Sequence, residues 1–342
     1  MKSKILSVGT ATPVTKFTQE EVYHLCGYDN ARIKSIFMNS DIDTRHFYFE
    51  SKYFKPNETS DQLNQRYKDG SLEISGAAIC HSLENLTLKP DDIDFLCVVS
   101  STGYLCPGLS SLLIERMGFR KDIQQANLLG MGCGGALPGL QRVQDYSSAH
   151  PGKLAMLVCV EICSAAYFFD DTLETVVGNA ICADGAAAVI VGSGNPESGP
   201  SVIDFQSRIC SEHLDKVGFE HRDGRLRIIL HQDIPELAGP VAKSTILTLL
   251  DRNGLKQNDI KHWILHSGGR KVIDRLQKEL GLNPDQVKQT KSILRNYGNM
   301  SSPTVLFVLN QVMQQEQPLT GDYGIMLALG PGLIVETALL QW

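Results

Sequence analysis

The chain has 342 residues, a length that suits two fused or closely packed units better than one hydrophobic core. With 42% hydrophobic residues, 20% charged residues and a formal net charge of −6, it resembles a soluble globular protein and offers no electrostatic basis for binding nucleic acid. No apolar run reaches about 18 residues, and the N-terminus lacks the pattern of a secretory signal. We therefore expect no membrane span and no export.

Short apolar runs alternate with helical patterns along the chain. Buried strands are predicted at KILSVG, DFLCVVSS, LAMLVCVE, AAAVIVG, HWILHSG and GIMLALG. Helices are predicted over residues 74–85, 108–117, 136–148, 236–252, 270–280 and 302–315. This alternation predicts an α/β architecture with right-handed crossovers.

Two regions interrupt the alternation, and a third divides the chain. The polar stretch KYFKPNETSDQLNQRYKDGS is interpreted as an insertion, and residues 205–235 as a second, β-rich insertion. The segment SGNPESGP, residues 193–200, is dense in Gly, Pro and Ser, which is typical of a junction. We therefore expect an N-terminal half over residues 1–195 and a C-terminal half over residues 196–342.

The second half of the chain repeats the first. LKPDDIDFLCVVSSTG matches LKQNDIKHWILHSGG, and LLGMGCGGALPGL matches YGNMSSPTVLFVL. The offset is 167 residues between Asp92 and Asp259, and 166 residues between Cys133 and Asn299. A nearly constant offset over two separate blocks indicates a duplication.

Cys133 lies in a glycine-rich turn between an apolar run and an amphipathic helix. The glycines of GMGCGG permit a backbone conformation that a β-carbon would forbid. At a helix N-terminus, the dipole and the free N–H groups favour a thiolate and can form half of an oxyanion hole. A buried structural cysteine at a tight turn is the alternative interpretation.

His266 and Asn299 occupy comparable places in the second half. His266 ends an apolar strand beside two glycines, at the edge where open α/β sheets bind ligands; the alternative is a hydrogen-bonded core histidine. Asn299 precedes an apolar helix, where a turn or capping asparagine is the common alternative. An activated cysteine with two neutral donors suits acyl transfer from a thioester, because the donors can hold an enolate oxygen.

The motifs GMGCGG, HSGGRKVID, YGNMSSPTVLF and GPGLIVET resemble those of the type III polyketide synthases. These are the chalcone-synthase-like branch of the thiolase-like condensing enzymes. The resemblance covers most of the chain and implies a duplicated, thiolase-like αβαβα layered α/β fold and a homodimer. It also implies that Cys133 is acylated by a starter thioester, and that His266 and Asn299 orient a malonyl thioester.

The resemblance also implies substrate-binding residues, and several of them depart from the family pattern. Cys182 and Ile228 stand where members with aromatic starters have phenylalanines, which predicts an aliphatic starter. Arg45 is the basic residue in a segment that binds coenzyme A phosphates in plant-type members. Two aspartates beside it leave delivery by a carrier protein open.

Five further residues are candidates for roles at the site. Cys106 corresponds to a residue that reaches across the dimer. Ser301, with the strand-end Glu161, corresponds to residues that set cyclisation, although a helix-start serine and a structural glutamate are equal alternatives. Gly330 and Gly332 either line the oxyanion hole or form a turn.

We predict a decarboxylating condensing enzyme, an acyltransferase that extends an acyl thioester starter with malonyl units. Its substrates are expected to be acyl-CoA and malonyl-CoA or carrier-protein thioesters, with no resident cofactor and no metal. The alternatives are a ketoacyl-synthase-III-like single condensation on carrier-protein substrates and a non-catalytic partner subunit of a condensing complex. Nine cysteines scattered through apolar segments indicate reduced thiols and a cytoplasmic location.

Overall fold

The computed structural model describes residues 3–49, 58–193 and 199–342. Within these ranges the strands are β1 Ser3–Ala11, β2 Lys16–Thr18, β3 Thr44–His46, β4 Phe95–Ser100, β5 Gln124–Leu129, β6 Ala155–Ile162, β7 Asp184–Ser193, β8 Ser201–Ile209, β9 Val217–Arg222, β10 Arg225–Leu230, β11 Ile260–Leu265, β12 Tyr323–Gly330 and β13 Ile334–Gln341. The helices are α1 Gln19–Leu25, α2 Ala31–Met38, α3 Ser60–Glu84, α4 Leu109–Met117, α5 Ala136–Ala149, α6 Leu173–Ile181, α7 Ile234–Arg252, α8 Arg270–Leu280, α9 Lys288–Tyr297 and α10 Thr304–Gln315. Among the described helices, none combines the length and apolar content needed to cross a membrane.

One sheet runs through the molecule in the order β11-β12-β13-β8-β1-β7-β6-β4-β5. On one side of its centre β4 and β6 are parallel, and the pairs β6–β7 and β7–β1 are antiparallel. On the other side β11 and β12 are parallel, and the pairs β12–β13 and β13–β8 are antiparallel. The two halves meet where Lys4 of β1 pairs with Ser201 of β8. This repeated strand order confirms the predicted duplicated α/β fold.

The repeat is also visible in the turns that precede β4 and β11. The Asp92 carboxylate accepts a hydrogen bond from the N–H of Lys89 at 2.8 Å, and that of Asp259 accepts one from the N–H of Lys256 at 2.7 Å. Each aspartate closes a 3₁₀ turn immediately before its strand. Because the same cap starts both strands, their carboxyl ends reach equivalent places in the two halves.

Helices cover the sheet in layers. In the outer layers, α3 contacts β1, β6 and β7 of the first half, and α7 contacts β8, β12 and β13 of the second half. The middle layer consists of α5 and α10, each of which contacts strands from both halves. Along β4, Leu96 and Val98 join one core and Cys97 and Val99 join the other, as expected of a strand buried on both faces. The five layers confirm the predicted αβαβα arrangement.

The polar stretch that we interpreted as an insertion belongs to the core, so that prediction is wrong. Its described part lies largely in α3, which begins after a capping box between Thr59 and Gln62. Leu63 and Tyr67 are buried, and Asn64 and Gln65 between them are exposed on the outer face of the helix. Residues 52–57 of the stretch lie outside the described residues. We also did not predict α1, α2, α6 or α9 from the sequence.

The region 205–235 is β-rich, as predicted, but only part of it is an insertion outside the main sheet. β8 pairs with β1 and β13 in the main sheet. β9 and β10 form a separate antiparallel hairpin, Val217–Leu230, which we call the pocket hairpin. The predicted junction falls mainly on residues 194–198, outside the described residues, so the boundary between residues 195 and 196 stays a prediction.

Candidate active site

The three candidate catalytic residues line one cavity of about 90 Å³. Cys133 lies in a 3₁₀ turn between β5 and α5, His266 follows β11, and Asn299 lies between α9 and α10. The Asn299 amide faces the Cys133 sulfur, with Nδ2 at 3.9 Å and Oδ1 at 4.0 Å from Sγ. The fold therefore brings together three residues that the sequence places up to 166 positions apart.

Glycines shape the turn that carries Cys133. Gly132 has a φ of +48°, and a β-carbon there would lie 2.6 Å from the ring of Pro331. The N–H of Gly132 donates to Ser101 Oγ at 2.8 Å. The N–H groups of the next two glycines donate to carbonyls of the turn itself, Gly134 to Met131 and Gly135 to Gly132. These donors are therefore not available to an anion on Cys133.

Burial dominates the protonation of the cysteine and the histidine. It raises the pKa of the Cys133 thiol to about 12, although hydrogen bonds with Ser301 and Asn299 oppose the rise. Burial lowers the pKa of His266 to about 4. At neutral pH, burial therefore favours a thiol and a neutral imidazole in the resting site. Burial of the sulfur opposes the predicted thiolate, and the N–H groups of Gly132, Gly134 and Gly135 are bound elsewhere, so the thiolate stays a prediction.

Asn299 is anchored through its backbone to the end of α6. Its N–H donates to the carbonyl of Ile181 at 2.8 Å, and its carbonyl accepts from the N–H of Ala183 at 2.9 Å. Its side-chain Oδ1 accepts from the N–H of Ser301 at 2.8 Å, and Ser301 has a φ of +59°. These bonds orient the amide so that Nδ2 and Oδ1 both face the cavity floor at Cys133.

Arg45 is not placed to bind a substrate phosphate, so its predicted role is wrong. Its side chain is fully buried, and Nη1 donates to the carbonyls of Asn179 and Cys182, each at 2.7 Å, and to Tyr167 Oη at 3.0 Å. A cation at the C-terminal end of a helix meets the negative end of its dipole. Arg45 thus caps α6, the helix whose end anchors Asn299.

Glu161 is a buried carboxylate that joins the two halves behind the site. Oε2 accepts hydrogen bonds from the backbone N–H groups of Ser101 and Thr102, and Oε1 accepts one from Ser302 Oγ at 2.9 Å. Burial raises the pKa of Glu161 to about 7, and these hydrogen bonds limit the rise. The network links the end of β4 to the turn that follows Asn299, and sequence reasoning missed Ser101 and Ser302.

The predicted substrate-binding residues divide into two groups. Cys182, Ile228, Ser301 and Gly330 line the catalytic cavity. Gly332 does not line it; its N–H donates to the carbonyl of Val217 and holds the base of the pocket hairpin. Cys106 is exposed, precedes a cis peptide bond, and lies outside the cavities described here.

A second cysteine accompanies Cys182 in the cavity wall, and sequence reasoning assigned it no role. The thiol of Cys163 forms a hydrogen bond with that of Cys182 and lowers the pKa of Cys182. The segment LVCVEIC placed Cys163 just beyond a buried strand, which is the signal that could have indicated it.

A larger cavity of about 670 Å³ adjoins the catalytic cavity. The two share the wall residues Ile181, Leu230, Ile234, Gly268 and Val272. Arg270 and Lys271, at the start of α8, lie in the larger cavity and add positive charge. We call it the entrance cavity. Its basic residues stand in the motif HSGGRKVID, but sequence reasoning did not assign them a role.

The sequence matches two described protein families. Residues 209–342 match the chalcone and stilbene synthases, C-terminal domain, and residues 33–253 match the FAE1/Type III polyketide synthase-like proteins. A 3,5-dihydroxyphenylacetyl-CoA synthase of Streptomyces toyocaensis is 37% identical over 100% of this chain and 90% of its own length. A 1,3,6,8-tetrahydroxynaphthalene synthase of Streptomyces peucetius subsp. caesius is 30% identical over 99% of this chain and 93% of its own.

Solved structures show the same likeness. The C-terminal type III polyketide synthase domain of Steely1, a type I/III hybrid from Dictyostelium, superposes with a TM-score of 0.92 at 27% identity. The superposition covers 100% of this chain and 99% of that domain.

Proposed function

Since the chain belongs to the type III polyketide synthase family and is a condensing acyltransferase, we propose that Cys133 carries the acyl group during condensation with malonyl-CoA. The observation that carries this proposal is the Asn299 amide within 4.0 Å of Cys133 Sγ, in a cavity that His266 also lines. A thiol and two neutral side chains around one small cavity suit thioester chemistry.

In the loading step, Cys133 Sγ attacks the carbonyl carbon of the starter thioester. The thiol proton passes to the imidazole of His266. Burial lowers the pKa of His266 to about 4, so the ring is neutral at pH 7 and has a nitrogen lone pair to accept the proton. The bond between carbon and the coenzyme A sulfur breaks, and the departing sulfur takes the proton.

In the condensation step, a malonyl thioester loses carbon dioxide and leaves an enolate. N–H groups of His266 and Asn299 donate to the enolate oxygen, which lowers the barrier to decarboxylation. The enolate carbon then attacks the acyl carbonyl on Cys133. A carbon–carbon bond forms and the bond to Cys133 Sγ breaks. The departing thiolate takes a proton from solvent, because the proton of the loading step left with coenzyme A.

We propose coenzyme A thioesters as the substrates, with no other cofactor. The entrance cavity of about 670 Å³ leads to the catalytic cavity, and Arg270 and Lys271 supply positive charge for phosphates. The name of the relative from Streptomyces toyocaensis describes a coenzyme A thioester, which supports the same donor for this chain. Nine free cysteines suit a cytoplasmic enzyme, which is the location we propose.

We propose that the starter is aliphatic. Cys182 and Ile228 line the catalytic cavity at two positions where aromatic rings are usual in the family, so a flat starter lacks those two stacking partners. A flexible chain gains about 0.8 kcal/mol for each methylene it buries. Catalytic efficiency should be compared for medium-chain acyl-CoA and coumaroyl-CoA. A preference of about tenfold for the aromatic starter, roughly 1.4 kcal/mol at the transition state, would contradict the proposal.

We propose a homodimer formed through β5. This strand lies at one end of the sheet, and Leu129 on it and the nearby Tyr104 are 48% and 70% exposed. An uncovered edge strand with apolar side chains is a surface on which another strand can pair. Light scattering on the purified protein should give twice the 37.6 kDa chain mass, and a monomer mass would contradict the proposal.

Mass spectrometry tests the central proposal. After incubation with acyl-CoA starters, the wild type should carry one acyl group on the peptide containing Cys133, and Cys133→Ala should carry none. Cys80→Ala is the matched control, because Cys80 is an exposed thiol on α3 and should leave loading unchanged. Absence of any acyl adduct across the starter panel would indicate the non-catalytic partner subunit instead.

A further inference from the structure

The catalytic cavity is too small for the chain that is assembled in it. Its volume is about 90 Å³, whereas an engineered cavity of about 150 Å³ holds a single benzene molecule. Small-molecule sites usually measure about 300–1,000 Å³. The entrance cavity cannot supply the missing space during extension, because the incoming malonyl donor occupies it. On the proposed function, part of the cavity wall must therefore move as the acyl chain on Cys133 grows.

The pocket hairpin is a part of the wall that lies outside the main sheet. It contributes five lining residues, Val217, Gly218, Phe219, Ile228 and Leu230. Its two strands pair with each other and with no strand of the nine-stranded sheet in the described chain. Displacing the hairpin therefore breaks no ladder bond of the main sheet. A lone two-stranded hairpin is marginally stable by itself, so other contacts must hold it.

Arg227 supplies the main side-chain contact that holds the hairpin. Its side chain is 8% exposed, and Nε lies 3.2 Å from Asp170 Oδ2. Nη2 donates to Thr172 Oγ1 at 2.7 Å, and Nη1 lies 3.7 Å from Glu174 Oε2. These three partners stand just before α6 and in its first turn. Within the hairpin, Nη1 also donates to Glu220 Oε1 at 3.1 Å. This buried cation joins the hairpin to the start of α6, beside the exposed Arg222, whose Nη1 lies 3.9 Å from Asp170 Oδ2.

The position of Arg227 couples this contact to the cavity. Successive residues of a strand point to opposite faces, so Arg227 and the cavity-lining Ile228 face opposite ways. Ile228 rests on Gly178 of α6, where a β-carbon would lie 2.6 Å from Ile228 Cγ2. The distance between β10 and α6, which Arg227 fixes from one side, therefore determines how deeply Ile228 enters the cavity.

Backbone contacts hold the two ends of the hairpin. At the tip, Ser60 Oγ donates to the carbonyl of Gly224 at 2.7 Å. At the base, the N–H of Gly332 donates to the carbonyl of Val217 at 2.9 Å. With both ends tied, the middle of the hairpin can bow away from α6 when the contacts of Arg227 release.

We propose that Arg227 is a positioning residue that sets the space open to the acyl chain, by holding the pocket hairpin against α6 until a growing chain pushes it outward. It acts through Ile228 and does not touch substrate. Removing its charge should loosen the hairpin and let longer chains accumulate.

The first test uses thiol alkylation and is independent of condensation. Cys133 would be alkylated with iodoacetamide or with N-octyl iodoacetamide, and peptide mass spectrometry would confirm the modified site. The background would carry serine at the exposed Cys80 and Cys106 and at Cys182, the cavity thiol with the lowered pKa. Hydrogen exchange of residues 217–230 should be unchanged by the small group and increased severalfold by the octyl group. Unchanged exchange with the octyl group in place would overturn the proposal, even if polyketide synthesis is confirmed.

The second test compares variants. Arg227→Met should raise exchange in the hairpin severalfold before alkylation and shift products toward longer chains, while acyl loading on Cys133 stays the same. Arg227→Lys, which keeps the charge, should restore much of the wild-type pattern. Arg252→Met is the matched control, because Arg252 makes three comparable contacts to Asp204, Phe205 and Gln206 away from both cavities.

Gly178→Ala keeps the proposal testable if Arg227→Met does not fold. The added methyl group would press on Ile228 and lift the hairpin from the α6 side. It should therefore change hairpin exchange and product length in the same direction as Arg227→Met. Wild-type exchange and product lengths in every variant that folds would show that the hairpin is a fixed wall.

Discussion

Replacing Asn299 by aspartate should separate decarboxylation from acyl loading. Aspartate has nearly the same shape and keeps an oxygen for the N–H of Ser301, which lies 2.8 Å from Oδ1. The backbone bonds to Ile181 and Ala183 also remain. The variant loses the Nδ2–H donor that faces Cys133 at 3.9 Å and gains a negative charge there. Loss of one oxyanion donor lowers kcat by about 10²–10³, or roughly 2.7–4 kcal/mol.

The assay would follow release of acetyl-CoA from malonyl-CoA, with acyl loading of Cys133 measured separately by intact mass. We expect decarboxylation to fall by at least about a hundredfold, while the loaded fraction at equilibrium remains close to that of the wild type. Asn296→Asp, on the exposed face of α9, is the matched control, since its side chain donates only within that helix. Decarboxylation at the wild-type rate in Asn299→Asp would refute the role assigned to the amide.

Three further outcomes follow from the structure. Gly132→Ala should abolish loading while the protein still folds, because its φ is +48° and the added methyl group would lie 2.6 Å from Pro331; intact mass after acyl-CoA treatment checks this. Arg45→Met should lower the free energy of unfolding by about 2–4 kcal/mol, since the carbonyls it binds at the end of α6 lose a charged donor, and urea titration against Arg270→Met measures it. Burial lowers the pKa of His262, but hydrogen bonds to Glu316 and Asp322 outweigh this and raise it above 6.5. The stability that His262 contributes is therefore full below pH 6.5 and is lost as pH rises through the raised value, so His262→Gln should flatten the pH dependence of the urea midpoint across this range.

The local pattern of the sequence determined the strands, the repeat and the identity of the central residues. Apolar runs bounded by turns predicted β4 and β11, and the shared Asp-Ile signal before them showed the duplication. The sequence directly indicates local backbone conformation: the glycines around Cys133 predicted a tight turn, and the apolar run before His266 predicted the end of a strand. The same reasoning missed the first half of α3, because the polar residues on its outer face made the segment resemble an insertion.

Properties that depend on distant segments were decided only by the tertiary structure. Arg45 stood in a segment associated with phosphate binding, yet the fold buried it at the end of α6, where carbonyls from residues more than a hundred positions away surround it. The protonation of Cys133 followed from burial among several elements rather than from its own turn. The cavity volume and the hold of Arg227 on the pocket hairpin likewise depend on distances between elements. Because desolvation and ion pairing are set by what packs nearby, the sequence alone could name the reacting groups but not their protonation or the space around them.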